Sequence, residues 1–248
     1  MALALLRETA AHVARQMVYA ARVATNPSLV SYQGLTVPLR ATPDLQRIRR
    51  TVYAGHYERH EMRAIDALLR PNDTVLEIGA GCGIVSAFIA KRLASPANLT
   101  AVEANRKLLP SLEAVARANG VAFHIVSAAV ARESGRAEFH IGSDFLFSSL
   151  IANRKSTVTE SVETIGFRDL VEKTGATFVV MDIEGGEKDI LDGPIPASVR
   201  VICAELHPHL VGDGPIAAVM SNLLAQGFKP ALECAHRWVM GFYRGERG

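Results

Sequence analysis

The stretch Thr74-Val-Leu-Glu77-Ile-Gly79-Ala-Gly81-Cys-Gly83 decides the fold. Its first five residues are a short, largely apolar run of the kind a buried strand needs. They lead into a loop whose glycines tolerate positive φ and let a ligand approach the backbone closely. Residues 84–93 follow with Ile84, Val85, Phe88 and Ile89 at helical spacing and Lys91 and Arg92 at the C-terminal end. Strand, glycine loop and helix in that order open a parallel sheet, and such sheets take ligands at the carboxyl ends of their strands.

The alternation continues outward from this stretch. Residues 99–102 read as a second strand ending at Glu103. A helix is expected over 108–119, with Pro110 in its first turn and Gly120 as its stop. Strands are expected at 121–126, at 136–141 outside the alternation, at 177–181 before Asp182, and at 199–204 before Glu205. A helix over 215–226 precedes two runs, 228–233 and 238–243, that suit an antiparallel hairpin. Upstream, a helix is expected from about 58 to 69, and two extended pieces, 29–32 and 35–39, flank the turn Gln33-Gly34. The expected fold is α/β: a Rossmann-like, doubly wound, mostly parallel sheet with a C-terminal antiparallel hairpin and an N-terminal helical extension. Residues 1–50 are expected to form the extension and residues 51–248 the main domain.

Composition narrows the class. Of 248 residues, 49% are apolar and 21% charged, which excludes a disordered chain, a collagen-like fibre and a disulfide-stapled miniprotein. Lys plus Arg is 27 against 25 for Asp plus Glu, so no global charge calls for a polyanion. Cys82, Cys203 and Cys234 have no CxxC spacing, which argues against a zinc knuckle and suits a reducing cytoplasm. No run reaches the roughly 18 apolar residues of a membrane span. Arg7, Glu8, His12, Arg15 and Arg22 interrupt residues 1–24, which read as an amphipathic helix. Leu3, Leu6, Ala10, Val13, Met17 and Ala20 lie near one face of it, expected to pack on the body or on a second copy in a homo-oligomer.

The ligand is read from the loop. Glu103 stands 20 residues beyond Gly83 at a strand end, where a carboxylate accepts hydrogen bonds from ribose hydroxyls. A dinucleotide fingerprint is GxGxxG, but this loop is Gly79-x-Gly81-x-Gly83 and continues with Ile84. Glu77 adds a carboxylate two residues before the first glycine, which suits an ammonium and a sulfonium better than a pyrophosphate. Both points favour S-adenosyl-L-methionine over NAD. The alternatives are an NAD-dependent oxidoreductase and a non-catalytic cofactor-binding module. Tyr57 and Glu58 are expected to close over the methionine end, and Ser127, after the third strand, to contact the adenine.

For chemistry the candidates are His207, Asp182 and Glu184, all at strand ends near the ligand crevice. His207 has the ordinary pKa of a base working near pH 7. Asp182 and Glu184 could instead hold the acceptor, fix the loop or, with Glu205 or His207, converge on a metal; the expectation is that no metal is needed. Arg47, Arg49 and Arg50 read as a solvated face.

From residue 50 to 244 the chain resembles the FkbM family of methyltransferases. The resemblance lies in Gly55-His-Tyr57-Glu58, in Val75–Gly83, in Val102-Glu103-Ala-Asn105, in the 135–141 strand with Ser148-Ser149-Leu150, and above all in Met181-Asp-Ile-Glu184-Gly-Gly-Glu187. Ile190-Leu191-Asp-Gly193 and Glu205-Leu-His207-Pro208 follow in the same order. Cys82 and Gly186 depart from it, where Asn and Ala are commoner. The resemblance implies methylation of a hydroxyl on a small molecule such as a sugar or natural product. Enzymes that methylate base amino groups carry Asn/Asp-Pro-Pro-aromatic after the fourth strand. Here that slot has neither proline nor aromatic, so no nucleic-acid partner is expected.

Overall fold

The computed structural model describes residues 2–142 and 156–246. The strands in chain order are β1 Leu29–Tyr32, β2 Leu35–Pro38, β3 Val75–Ile78, β4 Leu99–Val102, β5 His124–Val126 and β6 Ala129–Ala131. They continue with β7 Gly135–Gly142, β8 Ser156–Gly166, β9 Phe178–Met181, β10 Val201–Glu205, β11 Lys229–Pro230 and β12 Val239–Tyr243.

Seven strands form the main sheet in the order β11-β12-β10-β9-β3-β4-β5. Strands β5, β4, β3, β9 and β10 run parallel, and β12 lies antiparallel between β10 and β11. The chain winds outward from β3 in both directions, so β3 and β9 flank the switch point where a crevice opens. This is the expected doubly wound sheet with its C-terminal hairpin, and it is the fold of class I methyltransferases.

The core follows from a period of two. Val75, Phe178, Val180, Val201 and Cys203 point to one face of the sheet. Leu76, Ile78, Val179, Met181, Ile202 and Ala204 point to the other. Both faces are covered, so the central strands read as unbroken apolar runs. The helix Ile84–Ala90 covers the first face with Ile84, Val85, Phe88 and Ile89. The helix Asp213–Ala225 covers the second with Val219 and Leu223.

The β1–β2 hairpin turns at Gln33 and Gly34, with φ of 49° and 77°, a pair of left-handed residues that matches strand twist. Val30, Tyr32, Leu35 and Val37 join the first core face, so this part of the N-terminal segment is built into the body. Asn119 clamps it, accepting from Thr36 N at 2.9 Å and donating to Thr36 O at 2.8 Å.

The helix Ala2–Thr25 matches its expected position, and along residues 13–20 its expected apolar face does not pack on the body. Val13, Met17 and Ala20 are exposed, Met17 by 68%, so the part of the expected apolar face with described side chains is not covered by this chain. The helix is held near its C-terminal end, by Tyr19 against the core and by Arg22, which donates to Tyr53 O and Ser31 O. Tertiary contact there overrides the periodicity. Also unforeseen are the helix Phe167–Thr174 and the strands β6 and β8, which pair in a small sheet β6-β8-β7 with the strand expected at 136–141. Strand β8, STVTESVETIG, is too polar to announce itself by an apolar face. The Ser148-Ser149-Leu150 piece lies outside the described residues.

At the end of the sheet away from the crevice, Asp73 is the hub. Its Oδ1 accepts from Thr177 Oγ1 at 2.8 Å and from Arg200 Nε at 2.9 Å, while its Oδ2 accepts from Arg70 N at 2.7 Å and from Arg200 Nη2. Removing one partner of a buried pair leaves the other charge uncompensated. Asp73→Ala is therefore expected to cost about 3–5 kcal/mol in denaturant titration while leaving cofactor affinity unchanged. A loss under about 1 kcal/mol would mean that water replaces the carboxylate.

Candidate active site

The backbone delivers the site to one edge of the sheet. Beyond the named strands, pairing persists: Gly79 N and Ala80 N donate to Val102 O, Glu103 N to Val126 O, and Asp182 N to Ile78 O, all at 2.9–3.0 Å. The loops thus leave the sheet in register. They line a cavity of about 350 Å³, within the range of small-ligand sites.

One half of this cavity is the glycine loop. A Cβ on Gly79 would stand 1.8 Å from Asp182 O, and one on Gly83 would stand 2.7 Å from Leu112 Cα. Those two glycines serve packing. Gly81 has φ of 53° and nothing within 4 Å of its would-be Cβ, so its open side faces the ligand space. Glu103 Oε2 accepts from Gly81 N at 2.8 Å, and Oε1 from Asn105 N at 2.7 Å. Burial raises the Glu103 pKa, and these backbone bonds oppose the rise. Glu77 is 1% exposed with Oε2 unpartnered, and burial pushes it up to about 8.

These residues fit S-adenosylmethionine. A buried carboxylate oxygen without a donor suits the cofactor's ammonium, Glu103 retains lone pairs for ribose, and Gly81 leaves room. Tyr57 and Glu58 line the cavity. Burial raises the Tyr57 hydroxyl pKa, and burial with the charges of Glu205 and Glu184 brings Glu58 up to about 7. Ser127 is not among the lining residues; Ala128, Ala129 and Val130 take that place. The free thiol of Cys82 is buried, which pushes its pKa up and its reactivity down.

The other half is acidic. Asp182, Glu184, Glu205 and His207 meet there with Glu58 and Glu61. His207 is 3% exposed, with Nδ1 at 3.0 Å from Glu187 Oε1 and Nε2 at 3.5 Å from Asp182 Oδ1 and 3.7 Å from Glu184 Oε2. Burial alone would lower its pKa. The Glu187 hydrogen bond and the three carboxylate charges outweigh that and raise it to about 9. At neutral pH His207 therefore carries its proton, unlike the free base expected from its residue type. Burial and the neighbouring carboxylates also raise Asp182.

Glu187 escaped the sequence reading as a site residue. Its Oε1 accepts from Ile183 N at 2.8 Å and its Oε2 from Gly185 N at 2.9 Å, so it fixes the turn that carries Asp182 and Glu184. A carboxylate four residues after the turn it closes was the available signal. Glu61, three residues after Glu58, was missed for want of any local cue. Glu58 and Glu184 both hold left-handed backbone, with φ of 45° and 52°, strain of the kind that gathers at functional sites.

A family model described as Ribosomal RNA adenine dimethylase matches residues 58–160. Ribosomal protein L11 methyltransferase of Thermus thermophilus is 27% identical over 176 residues, covering 61% of this chain. The chain spans 66% of that protein's length, just under two thirds. Precorrin-6y C5,15-methyltransferase of Geobacter metallireducens aligns with a TM-score of 0.46 at 12% identity, over 76% of this chain and 88% of that one. TYW2 of M. jannaschii, solved in complex with AdoMet, aligns with a TM-score of 0.43 at 14% identity, over 88% and 86%.

Fold and site define an S-adenosylmethionine-dependent methyltransferase of class I, with S-adenosyl-L-methionine as the cofactor. That sets aside the NAD alternative. Two expectations are corrected. The resemblance to FkbM is overturned, because the matching family is Ribosomal RNA adenine dimethylase. A glycine loop followed by an acidic strand end suits the cofactor of methyltransferases in general and does not single out one family. The expectation of no nucleic-acid partner falls too, since the matching family is named for RNA and the relative for a ribosomal protein. Among the described residues no helix is long and apolar enough to cross a membrane.

Two predictions concern cofactor binding. Each charge-assisted bond is worth about 1.5–3 kcal/mol, so Glu103→Ala is expected to weaken S-adenosylhomocysteine by at least roughly tenfold in calorimetry. Unchanged affinity would remove Glu103 from the site. For Glu77, the free protein binds the proton below about pH 8, and an ammonium favours the carboxylate. Binding at pH 7 should therefore release a proton, and affinity should rise with pH until about 8. Calorimetry in phosphate and in Tris reads the release, which should vanish in Glu77→Gln; equal heats in both buffers for the wild type would refute the pairing.

Proposed function

We propose that the chain transfers the methyl group of S-adenosylmethionine to a hydroxyl, such as that of a sugar or natural product. The observation that carries this reading is the convergence of Asp182, Glu184 and His207 on the cavity that holds the glycine loop. The cofactor supplies an electrophilic methyl carbon and its own leaving group. The protein's work is then to position the acceptor and remove its proton. The Asp182/Glu184 pair orients the hydroxyl and takes that proton. The acceptor oxygen gains the methyl, and the electron pair of the broken carbon–sulfur bond stays on sulfur. His207, anchored by Glu187, holds the two carboxylates in place and offsets their charge.

Transfer to an amino group of RNA or of a ribosomal protein is the second reading, favoured by the family and the relative that match. The hydroxyl reading draws support from where the family match ends. Residue 160 precedes β9, so the acidic half of the site lies largely outside the matched span. The reading concerns the atom methylated, not the size of the molecule carrying it. Labelled S-adenosylmethionine should be offered to hydroxylated small molecules, to ribosomal RNA and to ribosomal protein, and the product analysed by mass spectrometry. A methyl ether is expected; methylated adenine or lysine overturns the proposal.

A further inference from the structure

We propose that the acidic end of the cavity is a divalent-cation site, with Glu58, Asp182 and Glu205 as its protein ligands. The site stands on geometry alone, while its part in catalysis rests on the hydroxyl reading above. One carboxylate oxygen from each of the three lies within 4.8 Å of the others. Two oxygens bound to one cation at roughly 2.1–2.6 Å each are separated by no more than about 4.2–5.2 Å, so the spacing suits a shared ion. The three come from separate places: the turn before the helix Arg59–Leu68, the loop after β9, and the end of β10. Donors that are all oxygen select a hard cation such as Mg²⁺, Mn²⁺ or Ca²⁺.

A second observation points the same way. Glu61 is 4% exposed and lines this cavity, and among the described residues no hydrogen bond or ion pair reaches its carboxylate. Asp182 Oδ1 has no hydrogen bond, and its one ion-pair contact among the described residues is His207 Nε2 at 3.5 Å. A buried carboxylate without a donor is costly unless a charge compensates it. Among the described residues no Lys or Arg lines the cavity. The cofactor's ammonium belongs with Glu77 at the other end. His207 has its Nδ1 on Glu187 and faces only one side of the cluster. The neighbouring trio Asp182, Glu187 and His207 is the weaker candidate, because both Glu187 oxygens already accept backbone N–H groups. A cation at Glu58, Asp182 and Glu205 would bind the acceptor hydroxyl and acidify it, and Glu184 would take the proton as the oxygen attacks the methyl carbon.

The test titrates Mn²⁺ into the metal-stripped full chain, with free Mn²⁺ read by electron paramagnetic resonance. One Mn²⁺ per chain is expected. Glu205→Gln and Glu58→Gln should each weaken it by at least about tenfold with circular dichroism unchanged, and Glu205→Gln should keep S-adenosylhomocysteine affinity within about twofold. Asp182→Asn serves as a third variant if either fails to fold. No bound Mn²⁺, or Mn²⁺ bound equally by wild type and variants, overturns the site. Methyl-ether formation that survives a chelator overturns the cation's part in the reaction, while leaving the hydroxyl reading intact. One Mn²⁺ per chain with an N-methyl product upholds the site and removes the hydroxyl reading.

Discussion

Asp182→Asn is expected to lower turnover by ~10²–10⁴-fold while S-adenosylhomocysteine binds nearly as in the wild type. Asp182 stands at the end of β9, with its backbone N bonded to Ile78 O, and its carboxylate lies at the meeting point of the acidic cluster. Asparagine keeps the size and the backbone bond but removes both the proton acceptor and the charge. The loss should fall in kcat and not in cofactor affinity, because Glu77, Gly81 and Glu103 are untouched. His207→Ala is a control of a different kind: removing it exposes Asp182, Glu184 and Glu187 to one another's charge, so it should perturb stability as well as rate. Once an acceptor is found, single-turnover transfer from labelled methyl donor decides. Wild-type turnover in the Asp182→Asn variant would remove this carboxylate from the reaction, both as proton acceptor and as cation ligand.

The second large effect is expected at Gly79. Alanine there would place its Cβ 1.8 Å from Asp182 O, a backbone atom, so the loop after β9 must yield by roughly 1 Å. The residue also sits at φ of 89°, where an L side chain adds strain of about 1–3 kcal/mol. Because the displaced loop carries Asp182, Gly79→Ala should lower the melting temperature and abolish methyl transfer together. Gly81→Val is the contrasting case. A Cβ there meets nothing within 4 Å, so valine costs only the backbone strain of φ 53°, and the fold should survive at reduced stability while the cofactor is excluded. If the two variants behaved alike, the division of labour among the glycines would be wrong.

Much of this architecture was legible from residue order. Apolar runs of four or five residues, each ending in a polar group, located β3, β4, β9 and β10, and the ends of parallel strands must converge. Glu77, Glu103, Asp182 and Glu205 could therefore be placed on one rim before any coordinates. What required three dimensions was charge. His207 reads as a neutral base by type, yet the carboxylates gathered around it from β9 and the following turn hold its proton. Glu61 and Glu187 look like ordinary helix residues until the helices Arg59–Leu68 and Glu187–Leu191 are docked. Ser127 was one residue early, since the chain turns its neighbours Ala128 and Ala129 into the cavity instead. The N-terminal helix was legible in position, but over Val13, Met17 and Ala20 this chain supplies no surface for its apolar face, which leaves of the two expectations the second copy.

The bonds from Gly81 N and Asn105 N to Glu103 have a kinetic consequence. They hold the glycine loop in shape in the absence of ligand, so little chain entropy remains to be lost when the cofactor arrives. Encounter then needs no slow rearrangement of the loop. Where the methyl donor and its demethylated product differ in affinity, the difference should appear in how long each stays, not in how fast each enters.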